Sequence, residues 1–246
     1  MKVLDLFAGI GGFTLGLERA GFETVAFCEI DPYAQQVLRK HWSEIPIYDD
    51  VRHLTAERLA KDGIEVDVIT GGFPCQDISI AGKQQGIGSK RSGLWSEVSR
   101  LIGELRPKYA IMENVTNLIA GDRGRWFGRV LGDLAEIGYD SEWHCIPASE
   151  LGAHHHRDRV WIVAYNQSER VEGGWAARQQ ESQAHAGSQL LMRCSAGSGS
   201  EIWRSEPVLG RVANGVPNRT HRLRCLGNAV VPQIPELIGK AIMGIK

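Results

Sequence analysis

The chain has 246 residues, 43% hydrophobic and 23% charged, the proportions of one globular domain of ordinary size with room for a small appendage. That composition excludes a disordered or fibrous chain, and no stretch approaches the roughly 20 apolar residues of a membrane-spanning helix. Lys and Arg total 28 against 29 Asp and Glu, a net charge of −1, so any nucleic-acid-binding surface must be local. Asp5 interrupts the opening apolar run and no cleavage pattern follows, so no secretory signal is expected. Five widely spaced cysteines (Cys28, Cys75, Cys145, Cys194 and Cys225) include no CxxC pair. They point away from a zinc site or a disulfide framework and toward a reduced, cytoplasmic chain.

In chain order, short apolar or β-branched runs at 2–6, 24–28, 66–70, 109–112, 142–147 and 160–165 predict strands. Helical spacing predicts helices over 14–20, 32–42, 94–105 and 125–137. Asp31 is a fitting N-cap, and Pro32 suits the first helical position, where its missing N–H has no partner to lose. Strands alternating with helices imply an α/β fold: a mixed, mostly parallel sheet with helices on both faces. Residues 166–205 break the pattern, since 22 of the 40 are Gly, Ser, Gln or Ala and only four are Val, Ile, Leu or Phe. Such a segment buries little surface and reads as a short polar insert. Order is expected to return over 202–216, and Pro232 begins a last helix with Ile234, Leu237, Ile238, Ala241 and Ile242 on one stripe. The chain thus divides into a domain over 1–165, an insert over 166–205 and a segment over 206–246 that returns to the domain.

The run Val3-Leu4-Asp5-Leu6-Phe7-Ala8-Gly9-Ile10-Gly11-Gly12-Phe13 reads as strand, glycine turn and helix. Such a turn lets backbone N–H groups approach a ligand at a helix N-terminus, although the glycines would equally serve helix–strand packing alone. Glu29 lies 20 positions after Gly9, at the end of the second strand, where an acidic side chain would accept hydrogen bonds from ribose hydroxyls. Asp50 follows the next short strand and could reach an adenine amino group. This spacing does not separate a nicotinamide dinucleotide from S-adenosylmethionine. Cys75 follows Pro74 at the carboxyl end of a predicted strand, the edge that opens into the ligand crevice of an α/β sheet. Glu113 follows another strand; a carboxyl there can protonate a substrate nitrogen if burial raises its pKa, or can merely cap a helix beside Asn114.

His154-His155-His156 would alternate in direction on an extended segment and have no acidic or thiol partner at ligand spacing, so no metal is expected. Arg157 and Arg159, two apart, would share a face suited to phosphate or base contacts. The alternative is a solvated edge strand paired with Asp158 or Glu150.

Taken in order, Asp5-Leu6-Phe7-Ala8-Gly9-Ile10-Gly11-Gly12, Gly72-Phe73-Pro74-Cys75-Gln76-Asp77-Ile78-Ser79 and Glu113-Asn114-Val115 resemble the motifs of the C5-cytosine DNA methyltransferases. Arg157-Asp158-Arg159 and Gly227-Asn228-Ala229-Val230-Val231-Pro232 complete the set, which extends over about 1–165 and 206–246. The resemblance implies a Rossmann-like, S-adenosylmethionine-dependent methyltransferase fold. It implies methyl transfer to C5 of a cytosine extruded from double-stranded DNA, through a covalent bond between Cys75 and C6. Cys75 is then the nucleophile, Glu113 the group at cytosine N3, and Asn114 a brace for the loop. Arg159 holds the O2 edge, with Arg157 its neighbour near the active-site phosphate. Phe7, Ala8, Gly9, Ile10, Gly11, Glu29, Ile30, Asp50, Val51, Pro74, Leu94 and Asn228 surround S-adenosylmethionine, with no metal.

Residues 79–93 resemble the loop that closes over the base, and 204–224, with five arginines against one Glu, suggest a local basic surface. His155 stands where the family usually has Gln, and 166–205 is short where relatives hold a target-recognition domain. The resemblance further implies a monomer of bacterial, phage or prophage origin, with a cognate restriction endonuclease as a candidate partner. The competing expectations are a degenerate DNA- or cofactor-binding protein without turnover, and a nicotinamide dehydrogenase.

Overall fold

The computed structural model describes residues 1–74, 93–166 and 219–244. In chain order the elements are β1 (Lys2–Leu6), α1 (Gly12–Arg19), β2 (Glu23–Cys28), α2 (Pro32–His41), β3 (Ile47–Tyr48), α3 (Ala56–Lys61), β4 (Val68–Gly72) and α4 (Leu94–Leu105). There follow β5 (Tyr109–Val115), α5 (Asn117–Ala120), α6 (Arg125–Glu136), β6 (Tyr139–Pro147), β7 (Asp158–Asn166), α7 (Arg219–Asn228) and α8 (Gln233–Met243). The strands make one sheet in the order β3-β2-β1-β4-β5-β7-β6. β1 through β5 pair in parallel, while β7 runs antiparallel to both of its neighbours, β5 and β6. The mixed, mostly parallel sheet expected from the alternation is therefore present. The chain steps outward from β1 to β3, then returns to add β4 on the other side of β1. That reversal opens a crevice at the carboxyl ends of the central strands.

Side chains alternate across the sheet with period two, and both faces are apolar. Leu4, Ile69, Ala110, Met112, Val160 and Ile162 join one core with Leu59 of α3, Val98 of α4 and Val130 of α6. Val3, Val68, Ile111, Trp161 and Val163 join the other, with Phe13 and Leu17 of α1 and Ile234 and Ile238 of α8. Helices thus cover both faces. α1 and α8 approach closely because their contact is built from glycine. A Cβ on Gly16 would stand 2.2 Å from the Pro232 carbonyl oxygen, and one on Gly239 would stand 2.8 Å from Ala20 Cβ. Among the described residues, no helix is long and apolar enough to cross a membrane.

Several boundaries differ from the sequence-based expectation. The run at 66–70 is strand only from Val68; Asp67, just before it, accepts the Lys2 N–H on its carboxylate at 2.9 Å and gives its own N–H to the Lys2 carbonyl at 2.9 Å. β5 continues three residues past Met112, carrying the polar pair Glu113 and Asn114 into the ladder. α3 was not foreseen, since Leu59 is its only buried residue and a single apolar side chain makes no stripe. α7 was missed for the same reason, with only Cys225 buried. The expected order over 202–216 lies outside the described residues, as does the expected polar insert except Asn166.

Under the first turn of α1, the Asp5 carboxylate is fully buried. Its Oδ2 accepts from the Thr14 hydroxyl at 2.9 Å and its Oδ1 from the Thr70 hydroxyl at 2.8 Å, so one group ties β1, α1 and β4. Burial pushes its pKa from 3.8 up to about 6, against those two hydroxyls, which pull it down. A folded value above the unfolded one stabilises the fold fully below about pH 4, and that contribution is lost as pH rises through about 6. The loss is on the order of 3 kcal/mol. Asp5→Asn keeps the shape without the charge. The melting temperature of the variant minus that of the wild type should therefore increase between pH 4 and pH 7. A pH-independent difference would show that this carboxyl does not titrate in that range.

Candidate active site

The glycine turn between β1 and α1 is built on left-handed backbone, with Phe7 at φ +52°, Gly9 at +54° and Gly11 at +84°. Among the described residues, an added Cβ on Gly9 would meet only the Phe7 carbonyl oxygen, at 3.9 Å. Ala8 N–H bonds the Cys28 carbonyl at 3.3 Å, which ties the turn to the end of β2. Glu29 comes next in the chain and is buried. Its Oε2 accepts from Gly9 N–H and its Oε1 from Asp31 N–H, both at 2.7 Å. Burial pushes its carboxyl up, against the Gly9 N–H and the Arg224 cation.

Two further contacts hold Glu29 in place. Its N–H bonds the Tyr48 carbonyl at 2.9 Å, and its carbonyl accepts from Gln35 Nε2 at 2.6 Å. Asp31 caps α2 as the sequence suggests, accepting from Tyr33 N–H at 2.8 Å, and also pairs with Arg224 of α7. Ile30, apolar and 63% exposed, borders the same edge. Val51 is buried, and Asp50 spends both carboxylate oxygens on Arg52, which holds it below the usual carboxylate range. Pro74 and Leu94 flank the undescribed stretch 75–92 and are half-buried.

A second corner forms where β5 ends beside β4 and β7. Glu113 sits in register with Gly72 on one side and Trp161 on the other. A Cβ on Gly72 would come 3.1 Å from Glu113 Oε2, so glycine there leaves the carboxyl its room. Glu113 is 8% exposed, and its Oε1 meets Arg159 Nε at 3.0 Å. Burial raises its pKa, and the opposing pull of Arg159 and then Arg157 does not reverse the direction. Asn114 donates from Nδ2 to the Phe73 carbonyl at 3.2 Å and accepts the Val115 N–H at 2.9 Å. The Phe73 ring packs on Trp95 at 5.1 Å, and Trp95 Nε1 is anchored on Asp133 at 2.8 Å. The two residues before Cys75 therefore leave β4 on a fixed stem. Cys75 itself, and the expected closing loop over 79–93 except Gly93, lie outside the described residues.

Arg157 precedes β7 and has φ +37°, so strand alternation does not aim it. Its guanidinium donates to the carbonyls of Gly227 at 2.8 Å and Ala229 at 2.7 Å. β7 is internal, which removes the solvated edge-strand alternative. Asn228 is exposed at the end of α7. His154, His155 and His156 are exposed, and His156 Nδ1 lies 3.3 Å from the Ser149 hydroxyl. Among the described residues, no group of three His, Cys, Asp or Glu could hold a metal ion. Of the basic stretch 204–224, only the part from 219 onward is described.

The structure thus brings Phe7 to Gly11, Glu29 and Ile30 to one corner and Glu113, Asn114 and Arg159 to another. Sequence reasoning missed Asp5, Thr14 and Thr70 beneath them, Gln35, Trp95, and the ion pair from α7 to Asp31. The first three could have been flagged by one sign, an acidic residue inside an apolar strand.

The C-5 cytosine-specific DNA methylase family matches residues 1–197. The type II methyltransferase M2.BsuMI of Bacillus subtilis is 36% identical over 168 residues, 67% of this chain and 42% of that protein. The type II methyltransferase M.HhaI of Haemophilus parahaemolyticus is 32% identical over 172 residues, 70% of this chain and 51% of that one. Among solved structures, a protein described as a DNA modification methyltransferase encoded within an E. coli prophage superimposes with a TM-score of 0.58 at 29% identity. That superposition covers 68% of this chain and 47% of the other. The matches span about half, or less, of each relative's length. The match over most of the chain, on a sheet of the same architecture, shows that this protein belongs to the C-5 cytosine-specific DNA methylase family.

Proposed function

We propose that this chain is a DNA (cytosine-5) methyltransferase that takes its methyl group from S-adenosylmethionine and acts on double-stranded DNA. The observation that carries the proposal is the buried Glu113–Arg159 pair, at 3.0 Å, beside the Phe73–Pro74 stem that leads into Cys75. A carboxyl whose pKa burial raises is better suited to share a proton with a ring nitrogen, and a guanidinium beside it can hold a carbonyl edge.

The first corner fits the donor. Gly9, uncrowded among the described residues, the acidic Glu29 and the exposed Ile30 offer polar and apolar contacts to a nucleoside. Glu29 keeps lone pairs beyond those taken by Gly9 and Asp31 and would accept from ribose hydroxyls. Ile30 and Val51 would line the adenine, with Asp50 near its amino group. Phe7, Ala8, Ile10, Gly11, Pro74, Leu94 and Asn228 would complete the surround. When bound, S-adenosylmethionine supplies an electrophilic methyl group on a sulfonium.

Cytosine C5 is a weak nucleophile, and the protein's task is to activate it. The base is extruded from the duplex, and the Cys75 thiolate adds to C6. Glu113 donates a proton toward N3 as electron density arrives in the ring, while Arg159 holds the carboxyl and the O2 edge. Asn114 keeps the stem that leads into Cys75 in place. C5 takes the methyl group from the sulfonium, which leaves as the thioether S-adenosylhomocysteine; loss of the C5 proton to solvent, return of the N3 proton to Glu113 and expulsion of the Sγ thiolate then restore the aromatic ring. The names of the type II relatives suggest a role beside a restriction endonuclease.

Transfer of a tritiated methyl group to DNA tests this reading; donor binding with no transfer on any DNA would reject it. Cys75→Ser should abolish transfer while leaving donor affinity nearly unchanged, and normal turnover by that variant would remove Cys75 from the mechanism. Glu113→Gln keeps the shape but loses the proton, and kcat should drop by about 10²–10⁴. Glu29→Ala should weaken donor binding by roughly 1–3 kcal/mol by calorimetry.

A further inference from the structure

We infer that Arg157 is a positioning residue that clamps the turn between α7 and α8 against the glycine turn, joining the Glu113 corner to the Glu29 corner. Its consequence for donor binding rests on the function proposed above; the clamp itself does not.

A non-glycine residue in left-handed backbone is strained by about 1–3 kcal/mol and persists where its surroundings hold it. At Arg157 both arms of the guanidinium are engaged, on carbonyls 70 and 72 residues away in the chain. Gly227 lies in the last turn of α7, where carbonyls lack intrahelical partners and the helix dipole is negative. A cation delivered there from another element caps the helix. Among the described residues, Arg157 has no ion-paired carboxylate to compete for it.

The clamped turn continues directly into the cofactor corner. A Cβ on Gly12, at the start of α1, would come within 2.5 Å of the Val230 carbonyl oxygen, so the two backbones touch. α7 has little burial of its own, and among the described residues its further ties include the Arg224–Asp31 pair and His221 stacked on Tyr33 at 5.4 Å. Both lie just past Glu29. The helix therefore spans from the residues after β2 to the residue before β7. Arg157 is two positions from Arg159, the partner of Glu113. Coupling needs such a contiguous chain of contacts.

Hydrogen–deuterium exchange on the full chain, without ligand, tests the clamp. In Arg157→Ala, amides over 225–232 should exchange faster while those over 98–112, in α4 and β5, stay unchanged. Arg157→Lys keeps the charge but offers a single ammonium for two carbonyls and should fall between. The Kd for S-adenosylmethionine, measured without DNA, should rise about tenfold in the alanine variant. Unchanged exchange over 225–232, or equal loosening of both segments in both variants, overturns the clamp. An unchanged donor Kd, with the loss confined to DNA affinity and a salt dependence lowered by about one phosphate contact, overturns the joining of the two corners. If the wild type binds no donor, the function proposed above fails, and the exchange over 225–232 alone decides the clamp.

Discussion

A carboxyl group sealed beneath the first turn of α1 constrains where this protein can bind anything. Asp5 accepts from Thr14 on α1 and Thr70 on β4, so three elements meet at one buried oxygen pair. An ionisable group without those hydroxyls would be costly in an apolar layer. With them, the strand ends beside it take fixed positions. The glycine turn leaves β1 directly after Leu6, and the Phe73–Pro74 stem leaves β4 directly after Gly72. Stability at the knot and geometry at the crevice are thus one property of the same residues.

The two buried glutamates show how environment separates similar groups. Burial raises both carboxyls. Glu29 is answered mainly by backbone N–H groups, which are neutral and directional and fix the glycine turn as they do so. Glu113 is answered by a guanidinium, a full charge that holds it in place without outweighing burial. One corner is therefore suited to receiving hydroxyl donors, the other to handling a proton. The glycines at 12, 16 and 239 serve a different end, letting the last segment of the chain pack backbone-close against α1.

Much of the fold could be read from periodicity, because both faces of the sheet are covered and each covering helix carries an apolar stripe. α4 matches its expected span, and α2 starts where Asp31 and Pro32 place it. α3 and α7 were illegible because each buries one side chain, and their helical state depends on contacts made elsewhere. The positions of the candidate residues were legible in part. Glu29, Glu113 and Asn114 follow predicted strands, and α/β folds gather such positions at one edge. Arg157 was misread as aimed by strand alternation, since a positive φ ahead of β7 cannot be seen in residue types.

The sequence by itself determined the alternation of strands and helices, the glycine turn, the order of the candidate residues and the family they indicate. These follow from local patterns: side-chain period, N-cap chemistry and residue spacing. Only the tertiary structure decided that β7 is internal and antiparallel, that Glu113 is buried against Arg159, and that Arg157 grips carbonyls some seventy residues away. Those are relations between segments distant in the chain. Their energies come from burial and from hydrogen bonds that exist only once the sheet has closed, so no local window of sequence contains them.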